Sequence, residues 1–184
     1  MVHIVQKSNE VLHEIAKEVP HKDITSPHIK KIIADMKEAL ASQDDGVALA
    51  APQIGVSLRI FVIAGKAFLY ADGNDIEGRE IPPDMVFINP EILKLSKKQV
   101  VLPEGCLSVR WLYGKTIRSE KAKVRAYDEH GKPFEYGGSG LIAQIFQHET
   151  DHLNGILFSD HATDIKDMPP ESHHPEHTHS HKKQ

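Results

Sequence analysis

The chain has 184 residues, of which 40% are hydrophobic and 26% are charged, and these proportions indicate one ordinary globular domain. Its formal net charge of -4 argues against a nucleic-acid or anionic-membrane partner, because either would require a basic face. No apolar run approaches the ~20 residues that cross a bilayer, and residues 1–10 lack the apolar core of a signal peptide.

The first predicted element is an amphipathic helix that begins after Ser26. Ser26 is a favourable N-cap, and Pro27 suits the first helical position. The apolar residues that follow at helical spacing are Ile29, Ile32, Ile33, Met36 and Leu40. The pattern ends near Ser42. After a stretch of small residues, residues 58–64 (LRIFVIA) are rich in branched side chains and predict a buried strand.

The middle of the chain predicts further strands. Residues 72–84 are rich in glycine, proline and acidic residues, so we expect a surface loop or hairpin tip there. Asn89-Pro90 is expected to end the strand that precedes it. Short strands are predicted at residues 85–88, 100–102, 122–127 and 132–136, the last two joined by a turn.

A second helix is predicted after residues 137–140 (GGSG), which we expect to be flexible, with Ser139 as the cap. Four of its side chains fall on one stripe, namely Leu141, Ile145, His148 and His152. Residues 153–155 (LNG) predict the end of this helix. From residue 162 the chain is polar, with five histidines after Ser172, and predicts an unpacked tail. We therefore expect one α+β domain at residues 1–161, with mainly antiparallel sheets around the second helix, and a His-rich tail at 162–184.

The second helix contains the motif HExxH at residues 148–152 (HETDH). His148 and His152 lie one turn apart on the same face, so both rings can reach one metal ion. Glu149 is rotated away from the metal and can take the proton of a metal-bound water that attacks an amide-type bond. The alternative is an exposed amphipathic helix with two ordinary histidines. The apolar stripe favours the metal site, because a buried histidine needs a partner.

A catalytic divalent site usually has three protein ligands and an open position. The third candidate is Cys106, the only cysteine, in residues 104–108 (EGCLS). A thiolate and two neutral imidazoles would leave a divalent metal with net positive charge, and Gly105 would let the backbone come close to a ligand. The alternative is that Cys106 is a nucleophile paired with a histidine, but that role would leave Glu149 without a function. A single cysteine also fits a reducing cytoplasm.

Three segments together resemble the peptide deformylase family, whose members remove the formyl group from the initiator methionine of new bacterial and organellar proteins and release formate. Residues 46–53 (GVALAAPQ) resemble the motif GxGLAAxQ, residues 104–108 match EGCLS, and residues 147–152 (QHETDH) match QHExDH. The resemblance runs from about residue 3 to His161. It implies that the chain is a metal-dependent hydrolase of linear formamides.

The resemblance also implies roles for individual residues. Cys106, His148 and His152 would be ligands of Fe(II), the usual native metal, with zinc, nickel or cobalt able to replace it. Glu149 would be the general base and then the general acid. The Gln53 side-chain amide and the Leu107 backbone N–H would donate to the oxyanion, and each such donor typically contributes ~3 kcal/mol of transition-state stabilisation.

The implied substrate is a formyl-Met peptide, with the ribosome as a transient partner. The peptide would lie extended like an added strand. Its backbone would bind that of Val47, Ala48 and Gly105. Leu141 and Ile145, with Val47, are candidates for the wall of the methionine pocket. No nucleic acid and no membrane is expected as a partner.

The chain departs from the family pattern at two places beside the site. Ala48 stands where the first motif usually has a second glycine, and residues 109–111 (VRW) replace a hydrophobic residue followed by proline. Asp151 has two open interpretations: a partner that orients a ligand histidine, or a charge on the helix surface. The alternative functions are an HExxH metallopeptidase and a non-catalytic metal-binding protein of the same fold.

Overall fold

Two antiparallel sheets and three α-helices form the part of the chain that the structure describes, which is residues 2–73 and 76–170 of a computed structural model. The helices are α1 (Pro27–Ala41), α2 (Gly65–Ala71) and α3 (Gly140–Leu153). The strands are β1 (Ala48–Ala50), β2 (Ile60–Ile63), β3 (Met85–Leu95), β4 (Gln99–Gly105), β5 (Leu112–Ser119), β6 (Lys121–Tyr127), β7 (Pro133–Ser139) and β8 (Thr163–Asp167). Short 3-10 turns lie at Glu10–His13, His21–Asp23, Ala51–Ile54 and Phe158–Asp160. The predicted α+β class is confirmed.

The larger sheet has the order β1-β2-β3-β6-β7, and the smaller has the order β4-β5-β8, with every neighbouring pair antiparallel. Strand β1 is therefore an edge of the first sheet, and β4 is an edge of the second. Edge strands keep one row of backbone N–H and C=O groups available for another chain.

The larger sheet is covered on both faces, and this explains the continuous apolar run of β2. Ile60 and Val62 face an apolar cluster that includes Met36 of α1. Phe61, one residue later in the alternation, faces a second cluster with Phe146 of α3. The stripe predicted for the first helix is confirmed, since all five of its apolar residues are buried.

The metal-binding motif lies in α3, which begins immediately after β7. Residues 137–139, expected to be flexible, are paired with β6 as the end of β7. Ser139 occupies the predicted N-cap position, although its side chain makes no cap hydrogen bond there. The turn from strand to helix is made by Gly140, whose φ of 54° lies in the left-handed region that glycine adopts without steric cost.

Strand β3 continues through the dipeptide that was expected to end it. Asn89 has a φ of 50°, and the strand shifts register between Ile88 and Glu91. The Asn89 side chain accepts from the N–H of Val19 and donates to its carbonyl, both at 2.8 Å, so polar pairing is maintained at the irregularity.

Strand β8 lies inside the segment that was expected to be an unpacked tail. Thr163–Asp167 pairs with β5, so the packed chain extends beyond the predicted boundary at His161. All five side chains of β8 are exposed, and the strand is held by its backbone ladder rather than by an apolar face. The five histidines of the predicted tail lie outside the described residues. Among the described helices, none is both long enough and apolar enough to cross a membrane.

Candidate metal centre

Three side chains predicted to be ligands meet where β4 ends beside α3. Cys106 follows β4 directly, whereas His148 and His152 project from consecutive turns of α3. Their ligand atoms lie within 4.8 Å of one another, and the Cys106 Sγ is 3.2 Å from the His152 Nε2. Cys106 and His152 are 46 positions apart along the chain. Together with His148 they nevertheless present one sulfur and two nitrogens to a common point.

The donor set fits a divalent metal. A thiolate with two imidazoles supplies three ligands and leaves a fourth position open, which is typical of a catalytic site. The buried His152 Nδ1 has no hydrogen-bond partner among the described residues. Burial also lowers the pKa of His152 well below its ordinary range, and the resulting neutral ring is the form that binds a metal.

The second histidine is oriented by a carboxylate. The His148 Nδ1 is 2.7 Å from the Glu104 Oε1, which leaves Nε2 to face the cysteine. Burial alone would lower the pKa of His148, but hydrogen bonds with Cys106 and Glu104 raise it well above its ordinary value. The same anionic surroundings favour a metal cation in place of the proton.

Glu104 is itself held by a buried polar network. Arg118 donates through Nε at 3.1 Å and through Nη2, Thr116 donates at 2.6 Å, and Gln144 donates at 3.3 Å. Burial raises the pKa of Glu104, but the hydrogen bonds from His148 and Arg118 outweigh this effect and hold the pKa well below its usual range. Glu104 therefore remains ionised as the acceptor for His148.

Asp151 belongs to the outer part of this network. Its Oδ2 accepts from the Arg118 Nη1 at 2.6 Å and lies 3.6 Å from the His161 Nε2. Among the described residues its hydrogen-bond partner is the arginine that holds Glu104, and not a predicted ligand histidine. Asp151 is therefore neither a direct partner of a histidine nor a free charge on the helix surface: it holds the arginine that binds Glu104.

Glu149 lies beside the ligands without joining them. Its side chain is buried, and its Oε2 has no hydrogen-bond partner among the described residues. Burial raises the pKa of Glu149 to about 7, which brings the carboxylate close to the range in which it can accept and return a proton at neutral pH. A bound cation would stabilise the ionised form and lower this pKa.

Gln53 reaches the cysteine from the 3-10 turn that follows β1. Its Oε1 accepts from the Ala50 N–H at 2.8 Å, which directs Nε2 toward the Ser108 Oγ at 3.2 Å and the Cys106 Sγ at 3.6 Å. Leu107 is also held at this point, because its carbonyl accepts from the Gln6 Nε2 at 3.0 Å. Gln53 is not among the residues that line the cavity described next.

A cavity of about 310 Å³ opens over these groups. It is lined by His148 and Glu149 and by all the predicted substrate-binding residues, namely Val47, Ala48, Gly105, Leu141 and Ile145. Ala48 lies in a strand and has no positive φ, so the alanine is compatible with the local backbone. At the rim, Arg110 pairs with Asp45 at 2.7 Å and stacks over Trp111 at 5.2 Å.

Several residues that position the site were not identified from the sequence. Gln147 accepts from the Ser119 N–H at 2.9 Å and donates to its carbonyl at 3.0 Å, which fastens α3 to the end of β5. Arg118 and Gln144 act on Glu104. The signal available for Glu104 and Gln147 was their place in the EGCLS and QHExDH motifs, whereas Arg118 lies in no motif.

Comparisons with known proteins agree with this geometry. The profile of the family described as polypeptide deformylase matches residues 1–168. A peptide deformylase of Dehalococcoides mccartyi is 40% identical over 158 residues, which cover 86% of this chain and 84% of that protein.

Two solved structures are similar as well. A peptide deformylase from Legionella pneumophila has a TM-score of 0.73 at 39% identity, covering 89% of this chain and 88% of that one. A peptide deformylase from Synechococcus elongatus in complex with actinonin has a TM-score of 0.74 at 33% identity, covering 89% and 79%.

Proposed function

The chain belongs to the peptide deformylase family, and from that membership we propose how its own residues remove the formyl group from the N-terminal methionine of nascent polypeptides. The chain is a metal-dependent hydrolase that acts on formyl-peptide substrates. The observation that carries the residue assignments is the meeting of three ligand atoms, a buried carboxylate and a cavity at one place.

Cys106, His148 and His152 are the proposed ligands, and Fe(II) is the proposed native metal, with zinc, nickel or cobalt able to replace it. A divalent metal held there would polarise the formyl carbonyl and acidify water. Glu104 and Arg118 support this assignment because they fix the tautomer and orientation of His148.

Glu149 is proposed as the general base and then the general acid. Its buried and unpartnered carboxylate oxygen is suited to take the proton of the attacking water. The same carboxyl group then returns this proton to the departing amine, so the peptide leaves with a neutral N-terminus. The formyl group leaves as formic acid, which releases its remaining proton to solvent and becomes formate.

Gln53 and Leu107 are proposed to stabilise the oxyanion. The hydrogen bond from Ala50 fixes the Gln53 amide with its Nε2 toward the cysteine. The Leu107 N–H follows Cys106 directly in the chain. Two donors placed before the reaction stabilise developing negative charge on the formyl oxygen without reorganisation.

The substrate is proposed to lie between the two sheet edges, β1 and β4. Val47 and Ala48 would offer backbone groups from one side and Gly105 from the other. Leu141, Ile145 and Val47 would contact the methionine side chain, because all three line the cavity next to His148. The departure at Ala48 adds a methyl group that packs in the same apolar cluster as Ile145.

The cellular setting is part of the proposal. Substrate would reach the enzyme in the cytoplasm as the chain emerges from the ribosome, and no specific nucleic acid or membrane contact is required. Residues 1–161 would supply every catalytic group, with β8 added at the end of the same domain.

A comparison of two variants tests the proposal. Glu149→Gln should keep its metal content and lose deformylation of a formyl-Met tripeptide by roughly 10²- to 10⁴-fold, the usual contribution of a general acid–base group. Cys106→Ser should lose metal instead. Glu91→Gln is the matched control and should behave as wild type, because this glutamate is exposed and does not line the cavity.

Two results would contradict the proposal. Cleavage of internal bonds in unformylated peptides, retained by Cys106→Ser, would indicate an HExxH peptidase. Full metal loading of the wild-type protein without any turnover of formyl-Met peptides would indicate a non-catalytic metal-binding protein.

A further inference from the structure

Two neighbouring residues near the start of the chain contact both segments that carry the proposed oxyanion donors. The Val5 N–H donates to the Gln53 carbonyl at 2.9 Å. The Gln6 Nε2 donates to the Leu107 carbonyl at 3.0 Å, across 101 positions of the chain. Residues 5 and 6 therefore connect the 3-10 turn that carries Gln53 to the turn that carries Leu107.

The Gln6 side chain holds the turn after β4 at two points. Besides donating to Leu107, it accepts through Oε1 from the Arg110 N–H at 3.3 Å. The amide group of glutamine is planar and has its donor and its acceptor on one carbon, so both contacts are made only in one orientation of the turn. Val5 keeps Gln6 in place, because it packs against the apolar cluster that contains Val109 and that Cys106 also contacts.

The backbone on each side of the Leu107 Cα is restrained by a different partner. The Cys106 carbonyl accepts from the Val109 N–H at 3.0 Å. In a planar trans peptide this carbonyl and the Leu107 N–H point in opposite directions, so the bond to Val109 sets the direction of the proposed donor. The next peptide group, which contains the Leu107 carbonyl, is held by Gln6. Without Gln6, rotation at Leu107 would be restrained on one side only.

The exposure of the two partners separates a positioning role from a structural one. Leu107 is buried, whereas the Gln6 side chain is exposed. Water can therefore replace the hydrogen bonds of Gln6 at little cost in stability. A water molecule is not attached to the chain, however, and does not fix the turn relative to residues 5 and 6.

We propose that Gln6 is a positioning residue for deformylation, and that it holds the turn so that the Leu107 N–H is directed at the oxyanion. Gln6 does not line the cavity, so it acts through the turn and not on the substrate. The inference rests on the proposed function, in particular on the role of Leu107. It adds a residue that lies outside the three family motifs.

The first test is Gln6→Ala, assayed as iron-loaded protein with a formyl-Met tripeptide. Its kcat should fall roughly 5- to 20-fold, because a displaced oxyanion donor weakens an interaction that is made in the transition state. KM and the metal content should both stay within about 2-fold of wild type, because the proposed ligands and the cavity lining are unchanged. The matched control is Gln99→Ala, an exposed glutamine at the opposite end of β4 from Gly105, and it should keep the wild-type kcat.

A second variant, Gln6→Glu, separates the two contacts of the side chain. An ionised carboxylate still accepts from the Arg110 N–H, but it cannot donate to the Leu107 carbonyl. The kcat of Gln6→Glu at neutral pH should therefore fall at least as far as that of Gln6→Ala. This variant also keeps the inference testable if the alanine variant does not fold.

Thermal unfolding gives a readout that does not depend on turnover. The midpoint of Gln6→Ala should lie within about 2 °C of wild type, because water replaces the contacts of an exposed side chain. A fall in kcat without a comparable fall in stability is the combination that a purely structural role does not produce.

Wild-type kcat in either Gln6 variant would overturn the inference while leaving the proposed function intact, provided the wild-type protein deformylates the tripeptide. A rise in KM at unchanged kcat would overturn it as well, because Gln6 would then act on substrate binding through Arg110. Loss of metal would show that Gln6 supports Cys106 instead, and a large fall in the unfolding midpoint of both variants would assign it a structural role alone. No turnover by wild-type protein would overturn the proposed function instead.

Discussion

Replacing Arg118 with leucine should destabilise the protein by about 3–5 kcal/mol, the usual cost of breaking a buried ion pair by removing one partner. The Arg118 side chain is 6% exposed, and that of Glu104 is 3% exposed, so water cannot replace the lost hydrogen bonds. Asp151, the second partner, is 24% exposed and can be rehydrated, so its loss adds less than ~1 kcal/mol.

The measurement is urea unfolding of the metal-free protein at pH 7, with Arg125→Leu as the control. Arg125 also pairs with a glutamate, but its side chain is 54% exposed and that of Glu91 is 62% exposed. The control should therefore leave the urea midpoint nearly unchanged, because water replaces the hydrogen bonds of this exposed pair. The double variant Arg118→Leu/Glu104→Gln should be more stable than Arg118→Leu alone, because the buried carboxylate charge has been removed.

A loss below ~1 kcal/mol for Arg118→Leu would refute this reasoning, because it would show that Glu104 is solvated or neutral after the arginine is removed. A double variant no more stable than the single one would refute it as well. The folded Arg118→Leu protein should also bind metal more weakly by roughly 10-fold or more, since Glu104 would no longer hold His148 in place.

Three further predictions concern the rim, the substrate path and a turn. Asp45→Asn should cost less than ~1 kcal/mol at pH 7, because the aspartate is 55% exposed. The hydrogen bond from Arg110 holds the pKa of Asp45 below its ordinary value of 3.8. The stabilisation is therefore present above pH 3.8 and is lost as the pH falls through the lower pKa of the folded protein. Urea midpoints of wild type and Asp45→Asn that stay apart in strong acid would contradict this. Gly105→Ala should raise KM for formyl-Met peptides several-fold by displacing Tyr113, and Tyr113→Ala should restore it; an unchanged KM in the single variant would show that the ring moves freely. Gly155→Ala should destabilise by about 2–3 kcal/mol in thermal unfolding, because φ is 72° and the new Cβ would be 2.7 Å from a backbone carbonyl; a loss of a few tenths would disprove the clash.

The parts of the fold that the sequence predicted well carry local signals. Helix α1 has a capping serine, a proline at its first position and an apolar stripe, and its observed bounds are those expected. The HExxH helix likewise ends where residues 153–155 predicted. Both signals depend on side chains that are close in sequence.

The missed elements lack such signals for physical reasons. On β5 the buried face carries Gly114, Thr116 and Arg118 while Ile117 is exposed, so the usual apolar alternation is absent. Arginine is tolerated at a buried position only because Glu104 approaches from β4. Strand β8 has no buried face at all.

The candidate site divides in the same way. Motif spacing was sufficient to select the three proposed ligands and Glu149, and the structure brings these side chains together. The network behind them joins β4, β5 and α3, so its pairing depends on tertiary contacts that one sequence does not reveal.

The ligand set is the central claim, and X-ray absorption at the zinc edge of zinc-loaded protein tests it most directly. The account predicts one sulfur scatterer at ~2.3 Å and two imidazole nitrogens at ~2.0–2.1 Å. Cys106→Asp should lose the sulfur scatterer and keep both nitrogens. A wild-type spectrum with nitrogen and oxygen scatterers alone would contradict the account, because Cys106 would then lie outside the metal's coordination.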